Sequence, residues 1–154
     1  KPMIEAPTLL NDSELLSLLQ EADSCIKGVC QYMRHTRNPI AVVSVDKKSN
    51  MKEVFEKVKH LDENIRIIAF VDEEKNDLEN AYMLVWRVVN NIDALRDIYM
   101  TDTSVGIDGT NKNAYDGYER EWPGDVECTD SVIKSLQERG ILDIDKTLIN
   151  KFQL

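Results

Sequence analysis

Two spacings of apolar residues alternate along this chain, and their order sets the expected fold. Leu15, Leu16, Leu18, Leu19 and Ala22 recur at helical spacing behind Asn11 and Glu14, a pair three apart that suits a reciprocal N-terminal cap. A helix is therefore predicted over 12–22. Ile26 to Met33 is a weaker strand candidate, and His35 to Pro39 reads as a turn because Pro39 keeps Asn38 out of helical geometry. The β-branched run Ile40 to Val45 suits a strand buried on both faces. Asn50 and Glu53 repeat the capping pair, and Met51, Val54, Phe55, Val58 and Leu61 predict a helix over 51–61. Ile65 to Val71 is a second buried strand. Strand, helix, strand in this order predicts a parallel pair with a right-handed crossover.

The acidic group Asp72, Glu73, Glu74, Asp77 and Glu79 follows. It reads first as capping for the next helix and second as a metal site at a strand end. That helix is predicted over 77–91, with Leu78, Ala81, Tyr82, Val85, Trp86, Val89 and Ile92 inward and Trp86 in the core. Residues 96–100 read as a third parallel strand. Gly117, Pro123 and Gly124 make 101–127 irregular, and a helix over 131–139, with Val132, Ile133 and Leu136 inward, ends at Gly140. A last short helix is expected over 145–152, and residues 1–10, with Pro2 and Pro7, as an extended lead-in. The expected fold is one α/β domain over 1–154: three layers, α/β/α, around a small, mainly parallel (mixed) sheet.

Composition narrows the function classes. The chain has 154 residues, enough for one domain with its own core, and is 42% hydrophobic and 31% charged, as expected of a soluble globular protein. No apolar run reaches the length of a membrane span, so no integral membrane segment is expected; no signal-peptide pattern is present, and a cytoplasmic location is expected. The first residue is Lys1, as in a fragment or processed product. A net charge of −9 argues against a nucleic-acid partner, since Lys47-Lys48 and Lys57 to His60 lie among acids. Cys25, Cys30 and Cys128 lack zinc or redox-motif spacing and read as reduced thiols; His35 and His60 read as surface residues.

Local motifs carry little chemistry. Gly106 and Gly109 match neither the dinucleotide fingerprint nor the Walker loop, and no nucleophilic triad or His-Glu metal pattern occurs. No catalytic, cofactor-binding or metal residue is therefore assigned in this chain. Val105 to Lys112, followed by Arg120-Glu121-Trp122, is the most ordered polar stretch and reads as too polar for a strand. Its two glycines suit a tight turn with positive φ, and Asp108, Thr110 and Asn111 suit backbone hydrogen bonding. Lys112 and Arg120 read as exposed, paired with Asp116 and Glu121 or facing an anion, and Trp122 before Pro123 as a clamp on the sheet edge. Asp108, Thr110, Asn111, Lys112, Arg120, Glu121 and Trp122 thus form a candidate structural loop, with a binding or interface loop as the second reading.

Five blocks, in order over 43–122, resemble the C-terminal domain of the UbiD-like carboxy-lyases, the 3-octaprenyl-4-hydroxybenzoate decarboxylase family. They are Val43-Ser44-Val45-Asp46-Lys47; Phe70-Val71-Asp72-Glu73; Trp86 with Asp93 and Arg96-Asp97-Ile98; Gly106 to Lys112; and Arg120-Glu121-Trp122. Gly109 stands where the family usually has alanine, Asn113-Ala114 where it has Trp-Pro, Asn90-Asn91 where it has Thr-Arg, and Ala94 where it has proline. Only Thr101 to Val105 fill the place of a longer family loop. The resemblance implies part of a prenylated-flavin-dependent decarboxylase of an aromatic acid, in ubiquinone or menaquinone biosynthesis. It also implies that the prenylated FMN, a divalent metal and the catalytic residues belong to an N-terminal catalytic domain on which this domain packs, in a homo-oligomer. A non-catalytic assembly or partner-binding module is the alternative, and a flavodoxin-like nucleotide domain is disfavoured by the absent phosphate loop.

Overall fold

Five strands form one sheet in the order β1-β2-β3-β5-β4: β1 (Ile26–Tyr32), β2 (Ile40–Val45), β3 (Ile67–Asp72), β4 (Ile98–Met100) and β5 (Val105–Asp108). They are seen in a computed structural model that describes residues 10–126, 128–143, 147 and 151. β2, β3 and β5 run parallel, while β1 and β4 flank them antiparallel. The helices α1 (Asp12–Ala22) and α2 (Met51–Val58) cover one face and α3 (Ala81–Asn91) covers the other; α4 (Asp130–Glu138) follows. This is the expected α/β architecture with a mixed sheet. The lead-in over 1–10 and the short helix over 145–152 fall largely outside the described residues.

The period-two alternation of β2 divides the core. Ala41, Val43 and Val45 pack with Leu15, Leu19, Met51, Phe55 and Phe70, while Val42 faces Val71 and Leu84 on the α3 side. α1 has the reciprocal cap: the Asn11 side chain accepts from Glu14 N at 2.9 Å and Glu14 accepts from Asn11 N at 3.0 Å. Asn50 caps α2 through Lys52 N alone, without the expected return bond from Glu53. His35 and His60 are exposed, as expected.

Four expectations are corrected. Residues 96–100 give not a parallel strand but the short antiparallel edge strand β4. The stretch read as too polar for a strand supplies β5, paired in parallel with β3. Gly106 sits in it because a Cβ there would lie 2.6 Å from the Phe55 ring, so the glycine admits α2 against the strand. The next correction concerns α3. It starts at Ala81, capped by Asn80 instead of the preceding acids, and buries Leu84, Arg87 and Asn91. Val85, Trp86 and Val89, predicted inward, are 65%, 40% and 64% exposed. Lastly, α4 buries none of its residues, and its predicted inward Val132 is exposed.

Candidate functional site

At the carboxyl ends of β2, β3 and β5 the chain gathers charge that a parallel sheet ordinarily offers to ligands. β5 ends in Asp108, β3 in Asp72, and Lys47 lies just beyond β2. Asp97 joins them because β4 begins at the same end: its carbonyl accepts the Asp108 N–H at 2.8 Å. The result is a buried network.

Lys112 lies at its centre, with a fully buried side chain. Its ammonium donates to the Asp108 and Thr110 carbonyls at 2.7 and 3.0 Å. It also lies 3.1 Å from the Asp108 carboxylate and 3.6 Å from that of Asp97. Lys47, with 4% of its side chain exposed, reaches Asp116 at 2.5 Å and donates to the Thr110 hydroxyl at 2.8 Å. Asp108 accepts from the Thr110 N–H at 3.0 Å and from its hydroxyl. Asn91 of α3 donates to the Gly109 carbonyl at 3.0 Å and to the Asn111 side chain at 3.1 Å, tying the loop to the opposite layer.

The carboxylates differ in how they are supported. Burial raises Asp72 above its ordinary pKa, although its oxygen accepts the Asn111 N–H at 2.8 Å. Burial also acts to raise Asp97, but the Arg96 guanidinium, bonding through two nitrogens at 2.7 Å each, and the Asp93 N–H hold it below the usual range. The Arg96 guanidinium is in turn held more firmly protonated by Asp97. Beside the network an open depression of about 290 Å³ is lined by Val45, Asp46, Lys47, Asp72, Glu73, Glu74, Lys75 and Asn111. Among the described residues no group of three His, Cys, Asp or Glu side chains is placed to hold a metal ion.

The structure brings four of the seven candidates, Asp108, Thr110, Asn111 and Lys112, into the network, and corrects the reading of Lys112 as exposed. Lys112 pairs with Asp108 and Asp97, leaving Asp116 to Lys47. Neither Gly106 nor Gly109 has positive φ; Gly117 and Gly140 do. The other three candidates lie apart. Arg120 stands over the Tyr118 ring at 5.8 Å, Glu121 is exposed, and Trp122 meets Tyr118 edge-on at 5.3 Å, in place of the clamp on the sheet edge. The residue pattern gave no warning of Lys47, Asp72, Asp97 and Asn91 as partners, and it assigned Asp116 to the wrong cation. Three of them, Lys47, Asp72 and Asp97, lie in the resemblance blocks, so four of those five blocks converge on one network.

Fold and network define a small α/β/α domain whose buried charges close on one another. The chain belongs to the family of the 3-octaprenyl-4-hydroxybenzoate carboxy-lyase C-terminal domain, whose model matches residues 7–116. That match ends before Arg120-Glu121-Trp122. Two uncharacterized proteins of Helicobacter pylori, strains 26695 and J99, are 50% and 49% identical to it over 151 residues, 96% of this chain. The chain spans only 24% of their length. Among solved structures, an evolved dimeric form of the UbiD-class enzyme HmfF from Pelotomaculum thermopropionicum, in complex with prFMN, is similar with a TM-score of 0.56 at 23% identity. The likeness covers 71% of this chain and 26% of that one. Vanillic acid decarboxylase of Sedimentibacter hydroxybenzoicus in open form reaches a TM-score of 0.61 at 16% identity, over 90% of this chain and 32% of its own. Both likenesses concern the fold.

Proposed function

We propose that this chain acts as the C-terminal domain of a prenylated-FMN-dependent decarboxylase of an aromatic acid, packing on a catalytic domain and supporting oligomerisation. The observation that carries the reading is the family match over residues 7–116, in a chain that spans about a quarter of its Helicobacter pylori relatives. The network fits a framework role. Lys112 is fully buried and engaged with the carboxylates of Asp97 and Asp108, which leaves it no route to a substrate.

The described residues of this chain do not fit the flavin. A phosphate group needs converging donors, yet the depression carries Asp46, Asp72, Glu73 and Glu74. Its two lysines are turned away, Lys47 to Asp116 and Lys75 to Asp125. The cofactor and its metal therefore belong to the remainder of the longer protein. A role in quinone biosynthesis and a cytoplasmic location are part of the same proposal. The full-length protein, loaded with prenylated FMN, should release carbon dioxide from an aromatic carboxylic acid, while this chain alone should retain no flavin. Stoichiometric flavin on the isolated chain would sink the division of labour. A full-length protein that neither takes up prenylated FMN nor decarboxylates would favour the non-catalytic assembly module.

A further inference from the structure

The chain from 117 to 125 is held by its ends and by little between them. It forms no helix or strand, and among the described residues its backbone from 119 onward makes no backbone–backbone hydrogen bond. Segments of this kind open at low free energy, before the rest of a fold. The two ends differ. Asp116 closes the capped turn Ala114–Asp116 and meets Lys47, with side chains 5% and 4% exposed. Asp125 is 19% exposed and meets Lys75, itself 36% exposed, at 3.2 Å and Arg87 of α3 through two nitrogens. Water therefore reaches the second end and not the first. The Arg87 guanidinium holds the Asp125 carboxyl below its usual pKa against the effect of burial, so that carboxylate is charged at neutral pH.

We infer that residues 117–125 form a releasable strap, closed by the charge latch of Asp125 on Arg87 and Lys75, which swings open about Gly117 while the sheet stays folded. Two further observations favour release at this end. Among the described residues, the buried Nε of Arg87 has no hydrogen-bond partner in the closed strap. Opening hydrates the guanidinium and supplies that partner, which offsets part of the cost of parting the ion pair. Glycines also flank the strap: Gly117, at φ 73°, follows the fixed Asp116, and Gly124 precedes Asp125. A Cβ at either would meet nothing within 4 Å, so neither is there to admit a neighbour, and both leave the backbone free to turn. Beyond the latch little resists the motion: Val126 is 96% exposed and α4 buries none of its residues. Lys151 returns to Asn80 and the Tyr82 ring, so the strap and α4 move between that tie and Gly117. This inference concerns the chain itself and does not rest on the decarboxylase reading.

Cleavage of the 154-residue chain by a Glu-specific endoprotease, read by mass spectrometry, tests it. Glu119 and Glu121 lie exposed on the strap, while Glu53 and Glu56, exposed on α2, report on the folded body. Where opening and closing are fast, cleavage tracks the open population. In wild type the rate at Glu119 and Glu121 should stay nearly level in urea below the unfolding midpoint, because a local opening exposes little surface. Asp125→Asn keeps the shape of the side chain and removes its charge. It should raise the strap rate at least about tenfold and leave cleavage at Glu53 and Glu56 unchanged. Lys75→Met, at the more exposed contact, should raise it less, and Asp130→Asn on α4 should not change it. A smaller rise in Asp125→Asn overturns the latch. So does a wild-type strap rate that climbs with urea as steeply as global unfolding, or an Asp125→Asn chain cut faster by the same factor at Glu53 and Glu56.

Discussion

Replacing Lys112 with Met removes one ammonium while nearly keeping the length of the side chain. Two buried carbonyls, those of Asp108 and Thr110, lose donors at 2.7 and 3.0 Å, and two buried carboxylates lose a cation at 3.1 and 3.6 Å. Breaking a buried pair from one side costs about 3–5 kcal/mol, because the remaining charge stays out of water. The lower end applies here. Asp97 keeps Arg96 and the Asp93 N–H, and Asp108 keeps Thr110, with Lys47 at 3.6 Å. With a urea m-value of about 2 kcal/mol/M, a loss of about 3 kcal/mol moves the unfolding midpoint down by about 1.5 M. The assay is urea unfolding followed by circular dichroism, with Lys112→Met, Asp108→Asn and the double variant in one cycle. Asparagine at 108 still accepts from Thr110, so the double variant should regain about 1 kcal/mol or more of the summed losses. A midpoint shift under about 0.5 M, or strictly additive losses, would refute the view that these two residues form one buried unit.

Three further outcomes follow from the same geometry. Asp97 is held below its ordinary pKa, so its stabilisation is complete above the unfolded value and lost as pH falls through the folded one; Arg96→Met should lower stability at neutral pH and flatten the acid limb of a pH–stability curve below about pH 4. Asp72 is raised, so its contribution has the opposite sign, present below the unfolded value and lost as pH rises through the folded one; Asp72→Asn keeps an acceptor for the Asn111 N–H and should unfold at no lower urea concentration than wild type at neutral pH. Gly106→Ala places a Cβ 2.6 Å from the Phe55 ring and should cost about 1–3 kcal/mol in the same urea assay, whereas Gly124→Ala, with nothing within 4 Å, should leave the midpoint unchanged.

The helices and strands whose burial is set by one neighbouring layer were legible in the chain. Leu15 and Leu19 of α1, the run of β2 and the stripe of α2 each face one packed surface, so local period and burial coincide. β5 was not legible, since two of its four residues, Gly106 and Asp108, are there for reasons other than packing an apolar side chain: one admits Phe55 and the other anchors the network. The parallel reading of 96–100 failed because only the Thr101–Ser104 turn separates β4 from β5, and that turn returns the chain antiparallel. Asp108 and Thr110 lie within four residues of Lys112, but its burial was misread because Asp97 reaches it only through the pairing of β4 with β5, which local spacing does not encode.

The same limit explains why a residue such as Arg87 is inside and what that does for the segment beyond the family match. Asp125 binds Arg87 and Lys75, and Asp116 binds Lys47, so the irregular chain from 117 to 124 is fastened at both ends to the face and top of the sheet. Between those anchors the Tyr118–Trp122 contact and Arg120 over Tyr118 organise the span locally, and Arg120 and Glu121 remain exposed. An arginine in the α3 interface is costly without a carboxylate, and the carboxylate arrives from this segment. The Arg87–Asp125 pairing thus joins this segment to the buried side of α3, which also carries Leu84 and Asn91, while Val85, Trp86 and Val89 face outward.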